Sequence, residues 1–414
     1  MRTLQNRASL GNPARRWRQT SIPVTTFQAF PSLDRIDDVA RLAKEAGFTV
    51  LEFLKQLPPE ALDAAVAACE KYDLGFLLED WRYWGAFQDA CMAPWTPEKL
   101  AEGVARYTRS PNLFGYYVWD EPYPGQFPLA RRVIDQLERL DPARLPFTVA
   151  LPSYNERYRW DNGRYEEYLT EYFRVIQPPV VSLDYYPFFF EARTAEEMNR
   201  SHLFDDIGLL RRISLAHDTP LWFYFQCWRH SAGDPPMTAE MTRMQFYNAL
   251  LHGAKGMQWF IIFDYIITHS GQKGYLFSCA RQLNTELHAL ESTLLALTSE
   301  RVYHGGLTDC RFGDDLAADP LLCAVPAFVS VGTFGDGYGN RYAMVLNRNF
   351  EAELDVALPL RQPRRIYRVS RQTGAQEVYA QNAQTLTLHL AAGDAELFRL
   401  EAPEGAPEPI RYTL

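Results

Sequence analysis

Asp120 and Glu121 are two adjacent acids whose position in the sequence suits proton transfer. The preceding residues 114–119 are aromatic or β-branched apart from one glycine, which favours a buried β-strand. Pro122 cannot continue a strand ladder, so the strand is predicted to end at the two acids. A carboxyl group held at the end of a core strand can act as a general acid or base. The structural alternatives are an arginine partner for Glu121 and a loop cap formed by Asp120.

Further candidates follow other strand-like segments. Asp184 precedes Tyr-Tyr-Pro, a strand-end pattern similar to that of Asp120 and Glu121, and is the favoured second carboxylate. Glu79 and Asp80 also follow a strand-like segment, although an acid pair before a helix is typical of a helix cap. Aromatic rings and polar groups at the other strand ends could bind a substrate with flat faces. These residues are Trp81, Tyr185, Gln226, Trp228, His230, Asp264 and Tyr265.

The elements that would position these residues alternate between strand-like and helix-like from about residue 22 to residue 297. Eight strands separated by helices predict a (β/α)8 TIM barrel, in which the carboxyl ends of all strands meet at one mouth. The alternative, an open doubly wound sheet, more often has a glycine-rich turn after its first strand, and residues 28–32 contain no glycine. The predicted strands are residues 23–30, 49–54, 75–79, 115–119, 146–151, 180–184, 221–225 and 256–263.

Glu52 lies within the second predicted strand, between Leu51 and Phe53. A lone carboxylate is costly to bury unless it has hydrogen-bonding or ionic partners. We therefore expect Glu52 to pair with Lys55 or with a neighbouring residue of the barrel.

After Glu300 the pattern changes to short alternating segments separated by turn signals. Residues 335–340 have the sequence GDGYGN, which predicts a hairpin turn. We predict a catalytic barrel over residues 20–300 and a C-terminal antiparallel β-sandwich over residues 301–414.

Composition and charge exclude several classes of protein. The formal net charge of −9 argues against a nucleic-acid partner, because phosphate binding requires a basic surface. No apolar run approaches the roughly 18 residues of a membrane-spanning helix, and the N-terminus has no signal-peptide core. The expectation is a soluble protein without nucleic-acid or membrane partners, cytoplasmic unless a signal peptide was removed. The sequence leaves the oligomeric state open.

No cofactor or metal is expected from the spacing of the possible ligands. None of the six cysteines forms a Cys-x-x-Cys pair, and no strand end has His-x-His or Glu-x-x-His spacing. A metal-dependent sugar isomerase or hydrolase is the alternative that this spacing disfavours. Its hard ligands would be Glu121, Asp184, His230 and Asp264.

Three segments resemble glycoside hydrolase barrels of the clan-A type, including β-galactosidase-like relatives: residues 115–123, 244–260 and 393–400. The resemblance implies a hydrolase of carbohydrate metabolism with a sugar or oligosaccharide substrate. It also implies that Glu121 is the acid/base residue at the end of strand four, where the preceding residue is usually Asn rather than Asp120. The nucleophile of the clan is a glutamate at the end of strand seven, but Gln226 stands near that place, and glutamine cannot form the glycosyl ester.

Three interpretations remain for the missing nucleophile. In the first, Glu121 is the general acid and Asp184 the base of an inverting reaction, which requires carboxyl groups roughly 6.5–9.5 Å apart. In the second, the nucleophile comes from another strand end, such as Asp264 or Glu79. In the third, the protein is a barrel that binds carbohydrate without cleaving it.

Overall fold

The computed structural model of the 414-residue chain describes most of the sequence, although Trp81 and His230 lie outside the described residues. The described ranges are 10–11, 17–27, 33–53, 57–80, 82–83, 96–155, 157–160, 162–229, 236–307 and 310–401.

Eight parallel strands form a closed barrel in chain order, because the first strand pairs with both the second and the eighth. The predicted TIM barrel is therefore confirmed, with strand ends that differ from the predicted ones by a few residues. The strands are β1 Val24–Thr26, β2 Val50–Phe53, β3 Gly75–Leu78, β4 Leu113–Asp120, β5 Leu145–Ala150, β6 Val181–Tyr185, β7 Leu221–Gln226 and β8 Gly256–Phe260.

Helices surround the barrel and begin where the sequence carries start signals. The hydroxyl of Thr96 accepts a hydrogen bond from the Lys99 amide at 3.2 Å, and Pro97 is the first residue of the helix that follows. The helices are α1 Ile36–Glu45, α2 Pro59–Lys71, α3 Pro97–Tyr107, α4 Phe127–Leu140, α5 Arg164–Ile176, α6 Pro187–Phe190, α7 Ala195–Met198, α8 Leu203–Ala216, α9 Ala239–Leu251 and α10 Phe277–Ala296. No helix in the described ranges is long and apolar enough to cross a membrane.

The barrel interior is apolar at the amino-terminal end of the strands and becomes polar towards the mouth. Near the amino-terminal end the ring of Trp222 packs against Phe147, with centroids 5.4 Å apart. A Cβ atom at Gly256 would lie 2.4 Å from the Trp222 ring, so only glycine leaves space for it. Higher in the barrel, Tyr117 and Tyr224 carry their hydroxyl groups among acidic side chains. This gradient places the polar groups of the core at the carboxyl ends of the strands.

The C-terminal strands form one antiparallel sheet in the order β13-β12-β14-β11-β10-β9, which confirms the predicted antiparallel domain. Their bounds are β9 Thr298–His304, β10 Val329–Gly335, β11 Arg341–Asn347, β12 Leu354–Val369, β13 Gln376–Leu390 and β14 Ala395–Leu400. The predicted hairpin turn joins β10 to β11, where Gly335 faces Arg341.

This sheet has apolar residues on both faces. One face contributes Met344 and Leu397 to the apolar core that it shares with the barrel helices. On the other face, Val331 and Val345 share a second apolar cluster with Leu358 of β12. The pairing of β12 with β13 shifts register beyond Pro359, and both strands contribute residues to this second cluster. The domain limits at residues 20–300 and 301–414 stay a prediction.

Candidate active site

The carboxyl end of β4 places Asp120 and Glu121 at the mouth of the barrel. The Glu121 amide still donates to the Val149 carbonyl of β5 at 3.1 Å, so the ladder extends one residue beyond the strand. Glu121 has a φ of 48°, in the left-handed region that side chains other than glycine rarely adopt. Such strained residues cluster at active sites and ligand-binding sites. The strain therefore marks Glu121 as a residue held in place by its surroundings.

Glu121 and Asp184 are in hydrogen-bonding contact, although they come from β4 and β6. Burial and the charges of Asp184 and Asp120 raise the pKa of Glu121 well above its usual range. Burial, followed by the charge of Asp120, raises the pKa of Asp184 to about 7. Two carboxyl groups in contact cannot both ionise easily, so the pair retains a proton at neutral pH. Protonated Glu121 donates to Asp184 in this arrangement.

The contact between these two carboxyl groups bears directly on mechanism. An inverting pair must be roughly 6.5–9.5 Å apart to admit a water molecule, and a retaining pair about 5–5.5 Å apart. A hydrogen bond between Glu121 and Asp184 is shorter than either separation. In this arrangement the two groups share one proton instead of facing each other across a sugar ring.

Asp120 is held by Tyr117, whose hydroxyl donates to Asp120 Oδ1 at 2.9 Å. Residues three apart on a regular strand point to opposite faces. The register between β4 and β5 shifts between Tyr117 and Trp119, and this irregularity accounts for the contact. The Asp120 carboxylate lies close enough to Asp184 and Glu121 to raise the pKa of both.

Glu52 of β2 lies within the barrel and is completely buried. Its carboxyl accepts hydrogen bonds from Thr25 Oγ1 at 2.5 Å, from Gln258 Nε2 at 3.2 Å and from the hydroxyl of Tyr224. Burial, with a contribution from the charge of Asp120, raises the pKa of Glu52 to about 7. The expected pairing with barrel neighbours is confirmed, whereas Lys55 lies outside the described residues. The lone acid in an apolar strand was the sequence signal for this network.

Aromatic rings form a wall beside the acid pair. The hydroxyl of Tyr186 hydrogen-bonds to Asp184, and its ring stacks on Phe260 with centroids 4.5 Å apart. The partly exposed ring of Trp228 stacks on Phe189 at 5.6 Å and meets Phe260 edge-on at 5.9 Å. Such rings can pack against the apolar face of a ligand. Of these rings, the sequence singled out Trp228 and placed Tyr186 after the same strand end as Asp184, whereas Phe189 and Phe260 were not among the candidates.

Two of the predicted substrate-binding residues, Gln226 and Tyr185, make hydrogen bonds within the protein. Gln226 is fully buried, and its amide accepts from the Phe188 amide at 3.0 Å and donates to the Trp228 carbonyl at 2.6 Å. The hydroxyl of Tyr185 donates to Glu191 at 2.7 Å. These contacts fix the orientation of both side chains.

Other predicted candidates lie in separate contacts. Asp264 is largely exposed and contacts Nδ1 of His269 at 2.7 Å, and this hydrogen bond lowers the pKa of its carboxyl. Tyr265 packs edge-on against Tyr275, with ring centroids 5.9 Å apart. Asp80 is buried and forms an ion pair with Arg82 at 2.5 Å. The described residues contain no cluster of three or more His, Cys, Asp or Glu arranged to hold a metal ion.

The chain resembles known proteins in fold but not in sequence. No family model matches it, and no curated protein sequence is similar to it. A catalytic mutant of a GH42 β-galactosidase from G. stearothermophilus superposes with a TM-score of 0.59 at 8% identity, covering 92% of this chain and 98% of that one. A glycoside hydrolase family 5 protein from Bacteroides vulgatus gives 0.57 at 8% identity, with coverages of 95% and 92%. A GH27 β-L-arabinopyranosidase from Geobacillus stearothermophilus gives 0.53 at 11% identity, with coverages of 94% and 98%. The resemblance to glycoside hydrolase barrels with a C-terminal β-domain is thus confirmed at the level of fold.

Proposed function

We propose that the protein is a glycoside hydrolase that acts on a sugar or oligosaccharide. The observation that carries the proposal is the proton-retaining pair of Glu121 and Asp184 at the mouth of the barrel. Cleavage of a glycosidic bond requires an acid that still holds its proton near neutral pH, and burial together with a like-charged neighbour provides one. The barrel fold that the chain shares with several glycoside hydrolases is consistent with this chemistry.

In the proposed mechanism Glu121 is the general acid. Its carboxyl proton moves to the glycosidic oxygen as the bond from that oxygen to the anomeric carbon breaks. Asp184 holds this proton in place before the substrate arrives, because it accepts the hydrogen bond from Glu121. The wall formed by Tyr186, Phe260 and Trp228 would pack against the sugar ring.

Asp120 is the proposed second carboxylate. The contact between Asp184 and Glu121 leaves no space for a sugar between them, which favours Asp120 over Asp184 in this role. The hydroxyl of Tyr117 fixes Asp120 in position. Asp120 would either activate a water molecule or attack the anomeric carbon, and its separation from Glu121 around a bound sugar would select between these reactions.

The test compares aryl glycosides whose leaving groups differ in acidity. We expect the wild type to cleave at least one sugar of a panel. Glu121→Gln should lower kcat/KM about 10³-fold for phenyl glycosides and much less for dinitrophenyl glycosides, whose leaving group needs no acid. Asp120→Asn should impair both kinds of substrate, because the second carboxylate is needed for either leaving group.

Glu102→Gln is the matched control, since Glu102 is an exposed acid of α3 away from the mouth of the barrel. A Glu121→Gln variant that cleaves phenyl glycosides at the wild-type rate would show that Glu121 is not the acid. A wild type that binds glycans but cleaves none of the panel would instead support the carbohydrate-binding function.

A further inference from the structure

The loop between β11 and β12, residues 348–353, connects two strands of the C-terminal sheet and contacts the segment of the barrel that follows β6. Its Phe350 is only 5% exposed, and the ring meets the ring of Phe188 edge-on, with centroids 5.4 Å apart. Phe188 belongs to α6, the short helix that begins two residues after the end of β6. An edge-on pair of rings favours one relative orientation of the two segments that carry them.

The same loop contacts α7 at both of its ends. At the start of the helix, the carboxylate of Glu351 accepts a hydrogen bond from the Ala195 amide at 2.8 Å. A carboxylate in this position pairs with an amide that has no partner within the helix, and its negative charge is favourable there. Just beyond the end of the helix, Arg348 donates through Nη2 to Oδ1 of Asn199 at 3.3 Å. The loop therefore fixes α6 and α7 by three contacts.

Hydrogen bonds within the C-terminal sheet fix the shape of this loop. Asn349 Oδ1 accepts from the amides of Glu351 and Ala352 at 2.9 and 3.1 Å. The fully buried side chain of Asn347 donates to the carbonyls of Ala352 at 2.8 Å and of Ala391 at 3.0 Å. Because two asparagine side chains bridge its backbone, the loop presents its side chains to the barrel in a defined position.

Contacts within the barrel connect α6 to the aromatic wall of the candidate active site. Phe189 follows Phe188 in α6, and its ring stacks on Trp228 with centroids 5.6 Å apart. The side chain of Gln226 accepts from the Phe188 amide at 3.0 Å and donates to the Trp228 carbonyl at 2.6 Å. One amide group therefore ties α6 to the chain that follows β7. A shift of α6 would move Phe189 and change the packing of Trp228.

We propose that the C-terminal sheet positions the aromatic wall of the candidate active site, with Phe350 and Glu351 as the positioning residues. The inference rests on the proposed function, in which this wall packs against the sugar ring. The acid pair is anchored separately, because Glu121 follows β4 and Asp184 belongs to β6. Loss of the loop contacts should therefore weaken sugar binding and leave the bond-breaking step largely intact.

Steady-state kinetics on a phenyl glycoside separates these two effects. Phe350→Leu keeps an apolar side chain but removes the aromatic pair with Phe188. It should raise KM about three- to tenfold and leave kcat within about twofold of the wild type. A rise in KM with kcat unchanged is the signature of lost binding.

Phe398→Leu is the matched control for loss of a buried ring. Phe398 is also buried, but it belongs to the second apolar cluster, whose buried members all come from the C-terminal strands and their loops. The control therefore reports what a destabilised C-terminal sheet does to the enzyme without any change at α6. Its KM should equal that of the wild type.

Glu351→Ala keeps the test decisive if Phe350→Leu does not fold, because Glu351 is exposed and its loss leaves the core intact. The variant removes the acceptor of the Ala195 amide and should raise KM about two- to threefold. Its control is Glu353→Ala, which removes an exposed acid of the same loop that pairs with His389 at 3.5 Å. This control should keep the wild-type KM.

Hydrogen exchange measured by mass spectrometry distinguishes a failure of this inference from a failure of the proposed function, because it needs no substrate. Phe350→Leu and Glu351→Ala should speed exchange of the amides in residues 187–199 about fivefold or more relative to their controls. Equal exchange in all variants overturns the inference, as does a KM that stays at the wild-type value in Phe350→Leu or rises equally in Phe398→Leu. A wild type that cleaves no glycoside contradicts the proposed function alone, and the exchange rates then decide the inference.

Discussion

The two ends of the barrel bury ionisable groups of opposite charge, and these groups are neutralised in different ways. At the mouth, Glu52, Glu121 and Asp184 can become neutral by retaining protons, and burial raises the pKa of each. At the amino-terminal end, His252 becomes neutral by losing a proton, but the guanidinium of Arg211 cannot. Acidic groups in a cluster can therefore neutralise one another by retaining protons, whereas a buried arginine depends on a counter-ion, here Asp314 at 3.5 Å from Nη1. This difference suits the mouth, rather than the opposite end of the barrel, to proton transfer.

The strongest test of this comparison is the pH dependence of stability at Glu52. Its carboxyl keeps its proton up to about pH 7 in the folded chain but releases it near 4.5 when unfolded. The contribution of Glu52 to stability should therefore be greatest below pH 4.5 and fall as the pH rises to 7, by about 3 kcal/mol. Glu52→Gln should remove this loss, so the variant gains stability relative to the wild type as the pH rises.

Urea unfolding at pH 5 and pH 8 measures this gain. Glu102→Gln, at an exposed position of α3, is the control and should follow the wild type. The stability difference between Glu52→Gln and the wild type could instead be the same at both pH values. Glu52 would then be ionised at both, and the conclusion that burial keeps it protonated would be wrong.

His252 should show the opposite pH dependence, with a smaller effect. The unfolded chain binds a proton at this residue below about pH 6.5, whereas the folded chain does so only near pH 3. Stability is therefore lost as the pH falls below 6.5, by about 2 kcal/mol at pH 5. His252→Gln should reduce this acid sensitivity. The control is His288→Gln on α10, an exposed histidine, and equal acid sensitivity of both variants would contradict the prediction.

A third test asks whether Asp184 controls the pKa of Glu121 at the mouth. Asp184→Asn removes a charge that, after burial, contributes to the raised pKa of Glu121, and leaves only a neutral amide oxygen as the acceptor. Glu121 should then lose its proton at lower pH, so the alkaline limb of kcat/KM moves to lower pH and activity at pH 7 falls about tenfold. The measurement is a pH–rate profile on a phenyl glycoside. An unchanged alkaline limb would mean that Asp184 does not control the proton of Glu121.

Much of the fold was predictable because it depends on local pattern. The alternation of strands and helices identified the barrel, and the strand ends located Glu121 and Asp184 on its mouth. The contact between these two groups was not predictable, because local pattern specifies neither the left-handed backbone of Glu121 nor the distance between side chains of β4 and β6. Strand boundaries do not determine how far apart two carboxyl groups lie.

The remaining contacts of the site depend on pairings between distant parts of the chain. Glu52 meets Thr25, Tyr224 and Gln258 on three other strands, and no local pattern specifies that register. Gln226 was placed by its strand position, but its amide is used by backbone groups of residues 188 and 228. Side chains at the same end of a barrel can therefore have unrelated roles, and only their contacts distinguish them.

The smallest expected effect concerns Asp264, an acid at the end of the barrel that stands outside the proton-sharing cluster. It is 61% exposed and paired with His269, and exposed pairs of this kind contribute about 0.2–1 kcal/mol or less. Asp264→Asn should therefore change the free energy of unfolding by less than about 0.5 kcal/mol and leave kcat/KM within about twofold of the wild type. Urea unfolding and steady-state kinetics with the same phenyl glycoside measure both quantities. A large loss of activity with unchanged stability would place Asp264 in contact with the substrate, and the site would then extend to the β8 side of the mouth.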